Sequence, residues 1–131
     1  MASPVIRFRI DFARNVNVGP GKVDLLEAIR DSGSLSQAAR DVDMSYRRAW
    51  LLLDSLNGSF RQPLTLATTG GRGGGGVALT KLGHALIKKY RSLEGVISRA
   101  AARNLRAIVP HVAAPRAARG SKPRRLVRKR G

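Results

Sequence analysis

Residues 32–50 read SGSLSQAARDVDMSYRRAW, and the order of small, apolar and basic residues within them decides the fold. Ser34 offers a side-chain oxygen to cap a helix, and Gln37, three residues on, is the partner a capping box requires. The helix that follows is short. Leu35, Ala38, Ala39 and Val42 make one narrow apolar face, and its alanines let a neighbouring helix approach closely. Asp41-Val42-Asp43-Met44 is a tight break, and Ser45 caps a third helix running to about Asn57. At roughly 100° per residue, Ala49, Leu52, Leu53 and Leu56 share a core face. Arg47, Arg48 and Leu51 fall on the opposite side, with Tyr46 and Trp50 on the flank. Two arginines in a first helical turn oppose the helix dipole, so positive charge kept there points to something negative outside the chain.

Working outward, Ile6, Phe8, Ile10 and Phe12 alternate with Arg7, Arg9 and Asp11, which predicts one half-buried strand. Asn15 to Gly21, NVNVGPG, carries turn residues. From Lys22, Val23, Leu25, Leu26 and Ile29 have helical spacing, and Asp31-Ser32-Gly33 ends that helix. Beyond the third helix, Pro63 to Thr69 (PLTLATT) predicts a strand with Leu64 and Leu66 on one face. Gly70 to Gly76 contains six glycines, and Val77-Ala78-Leu79 returns as a second strand. Thr80 caps a long last helix, expected from about Thr80 to Ile108. Its apolar positions are Leu82, Leu86, Tyr90, Leu93, Ile97, Ala101, Leu105 and Ile108. Helix, small-residue helix, tight turn, helix with a basic first turn, then a glycine-rich hairpin: this predicts a mostly α winged helix-turn-helix with a small β wing.

Composition narrows the function. The chain has 131 residues, 43% of them apolar, enough for one packed core. It carries 25 Lys and Arg against 8 Asp and Glu, a net charge of +17, which favours a polyanionic partner, nucleic acid before membrane. Before residue 110 there are 17 basic residues against all eight acids, a balance of +9. Pro110 to Gly131 holds eight basic residues, no acid and three of the six prolines, and is expected to be a disordered basic tail after a folded domain over 1–109. Such a tail suits contact with phosphates irrespective of sequence.

The absence of cysteine excludes disulfide scaffolds, thiolate metal sites and thiol catalysis. No apolar run approaches the roughly 20 residues a membrane helix needs, and the first residues lack an export signal, so a cytoplasmic location is expected. His84 and His111 are too few and too far apart for a metal site, and no acid pair or Ser-His-acid set has supporting context, so no enzyme is expected. The glycine run lacks the spacing of a phosphate-binding loop, because Lys81 comes well after it. As a wing it makes sense, with backbone amides able to approach phosphates and Arg72 at the tip able to reach a minor groove.

Ser32 to Trp50, with its Ser-Tyr-x-x-Ala-Trp start to the third helix, and Thr69 to Gly83, TGGRGGGGVALTKLG, resemble the N-terminal DNA-binding domain of the ModE family of molybdate-responsive regulators. The resemblance runs from about Val23 to Leu93. It implies a LysR-like winged helix-turn-helix in a homodimer that binds double-stranded DNA, with the third helix in the major groove, the wing on flanking backbone and the long helix at the dimer interface. Matched position by position, it implies DNA contact by Ser34, Ser36 and Gln37, by Ser45, Tyr46, Arg47 and Arg48, and by Arg72 in the wing. Leu86, Leu93, Ile97, Ala101 and Leu105 are the expected dimer residues. The family's molybdate-binding β-barrel modules have no counterpart after Leu93, where strand alternation is missing, so no cofactor is expected. Two functions follow: a transcription regulator reading a pseudo-palindromic site, or an architectural, nucleoid-type DNA binder of low specificity.

Overall fold

The computed structural model describes residues 4–69 and 75–114. A two-stranded antiparallel sheet, β1 (Ile10–Ala13) and β2 (Val16–Val18), precedes three helices, α1 (Pro20–Ser32), α2 (Leu35–Asp41) and α3 (Tyr46–Ser59). A second hairpin, β3 (Thr65–Thr68) and β4 (Gly76–Leu79), leads into α4 (Lys81–Asn104) and a short 3-10 turn, Val109–His111. The architecture is the winged helix-turn-helix that the sequence predicts.

Local chemistry sets the helix starts. Ser34 Oγ accepts from the Gln37 amide at 3.1 Å, Ser45 Oγ from the Arg48 amide at 3.1 Å, and Thr80 Oγ1 from the Gly83 amide at 3.1 Å. Only half of the expected capping box forms. The Gln37 side chain turns forward instead, donating to Asp41 and accepting from Arg40. Gly33, at φ 71°, closes α1 by donating to the Ile29 carbonyl. In the break between α2 and α3, Asp43 takes φ 56° and Met44 N–H returns to the Ala39 carbonyl at 2.8 Å.

The N-terminal region departs from its reading. The expected single strand begins only at Ile10, and the turn expected over Asn15 to Gly21 contains β2 and the first residues of α1. The reversal itself is confined to Arg14-Asn15, where Asn15 takes φ 60° and Ala13 pairs with Val16. A register shift between Asp11 and Ala13 breaks the alternation, and Phe12 turns outward to meet Phe60 edge to face.

The core gathers Val18, five residues of α1, Ala38 and Ala39 of α2, Ala49, Leu53 and Leu56 of α3, Leu64, and Ile87 and Tyr90 of α4. Phe8 stacks on Tyr90 with ring centroids 4.7 Å apart, and Tyr90 Oη donates to the Phe8 carbonyl at 2.7 Å. Arg91 sits beside it. It donates to Asp24 and Glu27 of α1, and to Glu94 on its own helix, so one cation fastens α4 to α1 through two carboxylates. The guanidinium is held more firmly charged than usual, first by the Glu27 hydrogen bond, with burial opposing and Glu94 and Asp24 adding to it.

Leu64 and Leu66 do not share a face, since Leu64 is fully buried and Leu66 is exposed. Asn57 Oδ1 accepts from the amides of both Leu64 and Thr65, at 2.8 and 3.1 Å. Successive amides of a regular strand point to opposite sides, so this shared acceptor bends the chain and turns the next residues over. The long helix is also shorter than expected. It ends at Asn104, and Leu105 to Ile108 form turns before the 3-10 segment Val109–His111.

Gly83 lies against the Leu64 backbone carbonyl, and a Cβ there would collide with that oxygen. Gly83→Ala should therefore lower stability by about 1–3 kcal/mol despite alanine's helix propensity. Gly95→Ala in the same helix meets only the flexible end of Arg99, and should raise stability by roughly 0.5–1 kcal/mol. Urea unfolding of the two variants checks the opposite signs. Burial, with a smaller contribution from Glu94, pushes the Tyr90 phenol up to about 12. The folded state thus favours the neutral phenol. Its contribution is complete below pH about 10 and is lost as pH rises through about 12. Tyr90→Phe should cost about 1 kcal/mol at neutral pH and show a shallower alkaline loss of stability, read from unfolding curves between those pH values.

Candidate nucleic-acid interface

Packing of Ala49, Leu53 and Leu56 into the core fixes which face of α3 looks outward. Tyr46, Arg47, Arg48, Trp50 and Leu51 are all exposed, at 55%, 48% and 49% for Tyr46, Trp50 and Leu51. These are the residues the sequence places away from the core. Ser45 is the helix cap, and its hydroxyl oxygen is used by the Arg48 amide.

The wing closes one side of this face. The Val77 amide donates to the Gly33 carbonyl at 3.1 Å, tying β4 to the turn between α1 and α2. Gly76 sits so close that a Cβ would lie 2.8 Å from both the Gly33 carbonyl and Thr68 Oγ1. An open groove of about 420 Å³ results, lined by Ser34, Ser36, Tyr46, Trp50, Asn57 and Gly76 among others. The structure thus brings Ser34, Ser36 and Tyr46 together. Gln37 is half-buried and engaged with Asp41 and Arg40 on its own helix. Arg72 lies outside the described residues. Ser34 and Ser36 hydroxyls are 3.3 Å apart, and Ser34 also serves as the α2 cap.

Sequence reading passed over Asn57 as the end of a helix. Besides accepting from Leu64 and Thr65, it donates to Thr65 Oγ1 at 3.0 Å, so its amide clamps the wing to the end of α3. An Asn preceding Gly58 looks like an ordinary helix terminus, and only the tertiary fold brings β3 against it.

Several acids gather around α1. Asp24, Glu27 and Asp31 of α1 and Asp41 of α2 line a separate groove of about 390 Å³. Glu94 of α4 joins Asp24 and Glu27 around Arg91. The exposed first two turns of α3 carry Arg47 and Arg48 and no acid. Such a face can do two things: hydrogen-bond phosphates through hydroxyls, amides and arginines, and present side chains to base edges.

On α4, Gly83, Ile87 and Tyr90 face the chain's own domain, and Leu86 packs partly against the same core. Leu93 and Val96 are 38% and 52% exposed, and Ile97 and Ala101 are half-buried. Leu105 lies just past the end of α4 as its cap. Among the described residues no helix is long and apolar enough to cross a membrane.

No protein-family model matches the chain. Among curated proteins it is 45% identical over 83 residues to the molybdenum-pterin-binding protein MopA of Rhodobacter capsulatus, covering 63% of this chain and 31% of that one. It is 38% identical over 92 residues to the molybdenum transport protein ModE of Azotobacter vinelandii, covering 67% and 34%. It is 40% identical over 81 residues to the DNA-binding transcriptional dual regulator ModE of Escherichia coli K12, covering 62% and 31%. The chain therefore spans about a third of the length of these relatives. Among solved structures, the CbnR_DBD–DNA complex contains a chain of similar fold, with a TM-score of 0.51 at 21% identity, covering 66% of this chain and 94% of that one. In sequence this chain is similar to the ModE and Mop proteins, and its fold is that of a winged helix-turn-helix DNA-binding domain.

Proposed function

We propose that the chain is a DNA-binding transcription regulator that reads duplex DNA with α3 and positions itself through the α2 cap and the wing. The observation that carries this reading is the outward face of α3, where Arg47 and Arg48 stand exposed between Tyr46 and Leu51 beside the wing groove. The likeness to a transcriptional regulator of the ModE type and to a domain solved in a DNA complex supports it. Ser34, Ser36, Ser45 and Tyr46 are assigned to phosphates, and Arg47 or Arg48 to a guanine edge, where an arginine makes two hydrogen bonds. Gln37 holds α2 to itself and contributes indirectly. Arg72 and the basic residues after Pro110 are assigned to sequence-independent backbone contact. The protein is assigned to the cytoplasm with its DNA, as a binder rather than a catalyst.

The regulator is proposed to act as a homodimer. Leu93, Ile97 and Ala101 continue the apolar stripe of α4 beyond Tyr90, the last residue of the helix buried in its own domain. A two-fold partner covers such a stripe and sets two α3 helices about one DNA turn apart. Leu86 and Leu105 border the same surface.

A low-specificity architectural binder is the second reading, favoured by the +8 carried after residue 109. Affinity for promoter-derived and random duplexes separates the two. A ratio above roughly a thousand is expected for the regulator, and a ratio near one with a steep salt dependence for the architectural protein. Whichever of Arg47→Ala and Arg48→Ala removes the base contact should cost about 1–3 kcal/mol of specific binding and relax preference at one position. Unchanged preference in both variants contradicts base reading. Ile97→Glu would bury two unpaired acids per dimer and should convert a dimer into a monomer in sedimentation at micromolar concentration. A wild-type chain that sediments as a monomer contradicts the dimer.

A further inference from the structure

On α3, Arg47, Leu51 and Ser55 stand four residues apart in one column, and all three are exposed. This column lies opposite Ala49, Leu53 and Leu56, so it is the part of the helix that would reach deepest into a groove. Its middle member is apolar. Leu51 is 49% exposed, with Trp50 and Tyr46 exposed beside it. A lone exposed leucine is ordinary on any surface. Here three large apolar side chains fall within Tyr46–Leu51, interleaved with Arg47 and Arg48, in a protein of net charge +17. The two arginines make a polyanion the fitting occupant of this face.

A leucine adds nothing to phosphate attraction, and it makes no hydrogen bond to a base. In the major groove the feature that rewards an apolar contact is the C5-methyl group of thymine. We propose that Leu51 is a specificity-determining residue that reads a thymine methyl, one helical turn along α3 from Arg47. This rests on the DNA-binding reading above and adds a base identity to it: each half-site holds an A·T pair next to the position read by arginine. Trp50 and Tyr46, on the groove side of the column, pack against sugar and phosphate and carry no sequence information.

The test uses the full chain and a duplex enriched from random DNA by the wild-type protein. Each thymine is replaced in turn by deoxyuridine, which removes only the methyl. The expected result is one position per half-site where binding weakens about fourfold, the transfer free energy of one buried methyl-sized group. Leu51→Ala keeps a strong helix former at an exposed site, so the domain still folds. This variant should be indifferent to the methyl at that position and retain its preference at the arginine-read base. If a site is enriched but uracil is neutral at every position, or the penalty persists in Leu51→Ala, the methyl-reading role is overturned and the regulator stands. If no sequence is enriched, the regulator reading falls as well.

Discussion

Three structural elements meet on the backbone of one residue, Leu64. Its side chain is fully buried in the core. Its amide donates to Asn57 at the end of α3, and its carbonyl accepts from the Thr80 amide at the start of α4. Gly83, one turn into α4, rests on the same carbonyl, and Thr80 Oγ1 donates to the neighbouring Pro63 carbonyl at 2.9 Å. α3, the wing hairpin and α4 are thereby fixed relative to one another. Buried amides and carbonyls leave little choice here, because each must find a partner or cost free energy. Positioning α3 beside the wing is a consequence of how this residue satisfies its backbone.

A second constraint acts at the far side of α1. Arg91 joins α4 to Asp24 and Glu27, with Glu94 completing the cluster, and Tyr90 beside it anchors Phe8. A partly buried ion cluster of this kind adds little net stability, but removing its cation would leave three carboxylates facing one another. Its structural effect is orientation. The same arrangement gathers acids on α1 and α4, away from the first turns of α3. The first two turns of α3 thereby present arginine and apolar groups, and Asp54 follows them on the same side of the helix.

Much of this was legible because it is local. Ser34, Ser45 and Thr80 cap helices through bonds spanning three residues, and their serine and threonine side chains signal it directly. The face of α3 followed from periodicity, and the glycine-rich hairpin from its punctuation. What stayed hidden depends on distant partners. Asn57 reaches Leu64 and Thr65 only after the chain has turned, and its shared acceptor creates the bend that separates Leu64 from Leu66. Tyr90 meets Phe8 across 82 positions, and Arg91 meets Asp24 across 67. β2 hid among turn residues, since Asn15 marks the reversal and Val16–Val18 is too short to show a period. The end of α4 was overestimated because apolar spacing runs on through Leu105 and Ile108 after the helix has given way to turns.

The central claim is that the outward face of α3, with the α2 cap and the base of the wing, is the surface that meets DNA. Amide chemical shifts of the isotope-labelled chain, followed during titration with a duplex at moderate salt, address it residue by residue. The account predicts that the largest changes fall on Ser34 to Ser36, on Ser45 to Leu51 and on Gly75 to Val77, while Asp24, Glu27 and Asp31 stay unmoved. Changes confined to residues after Pro110, with the signals of α3 undisturbed, would contradict it.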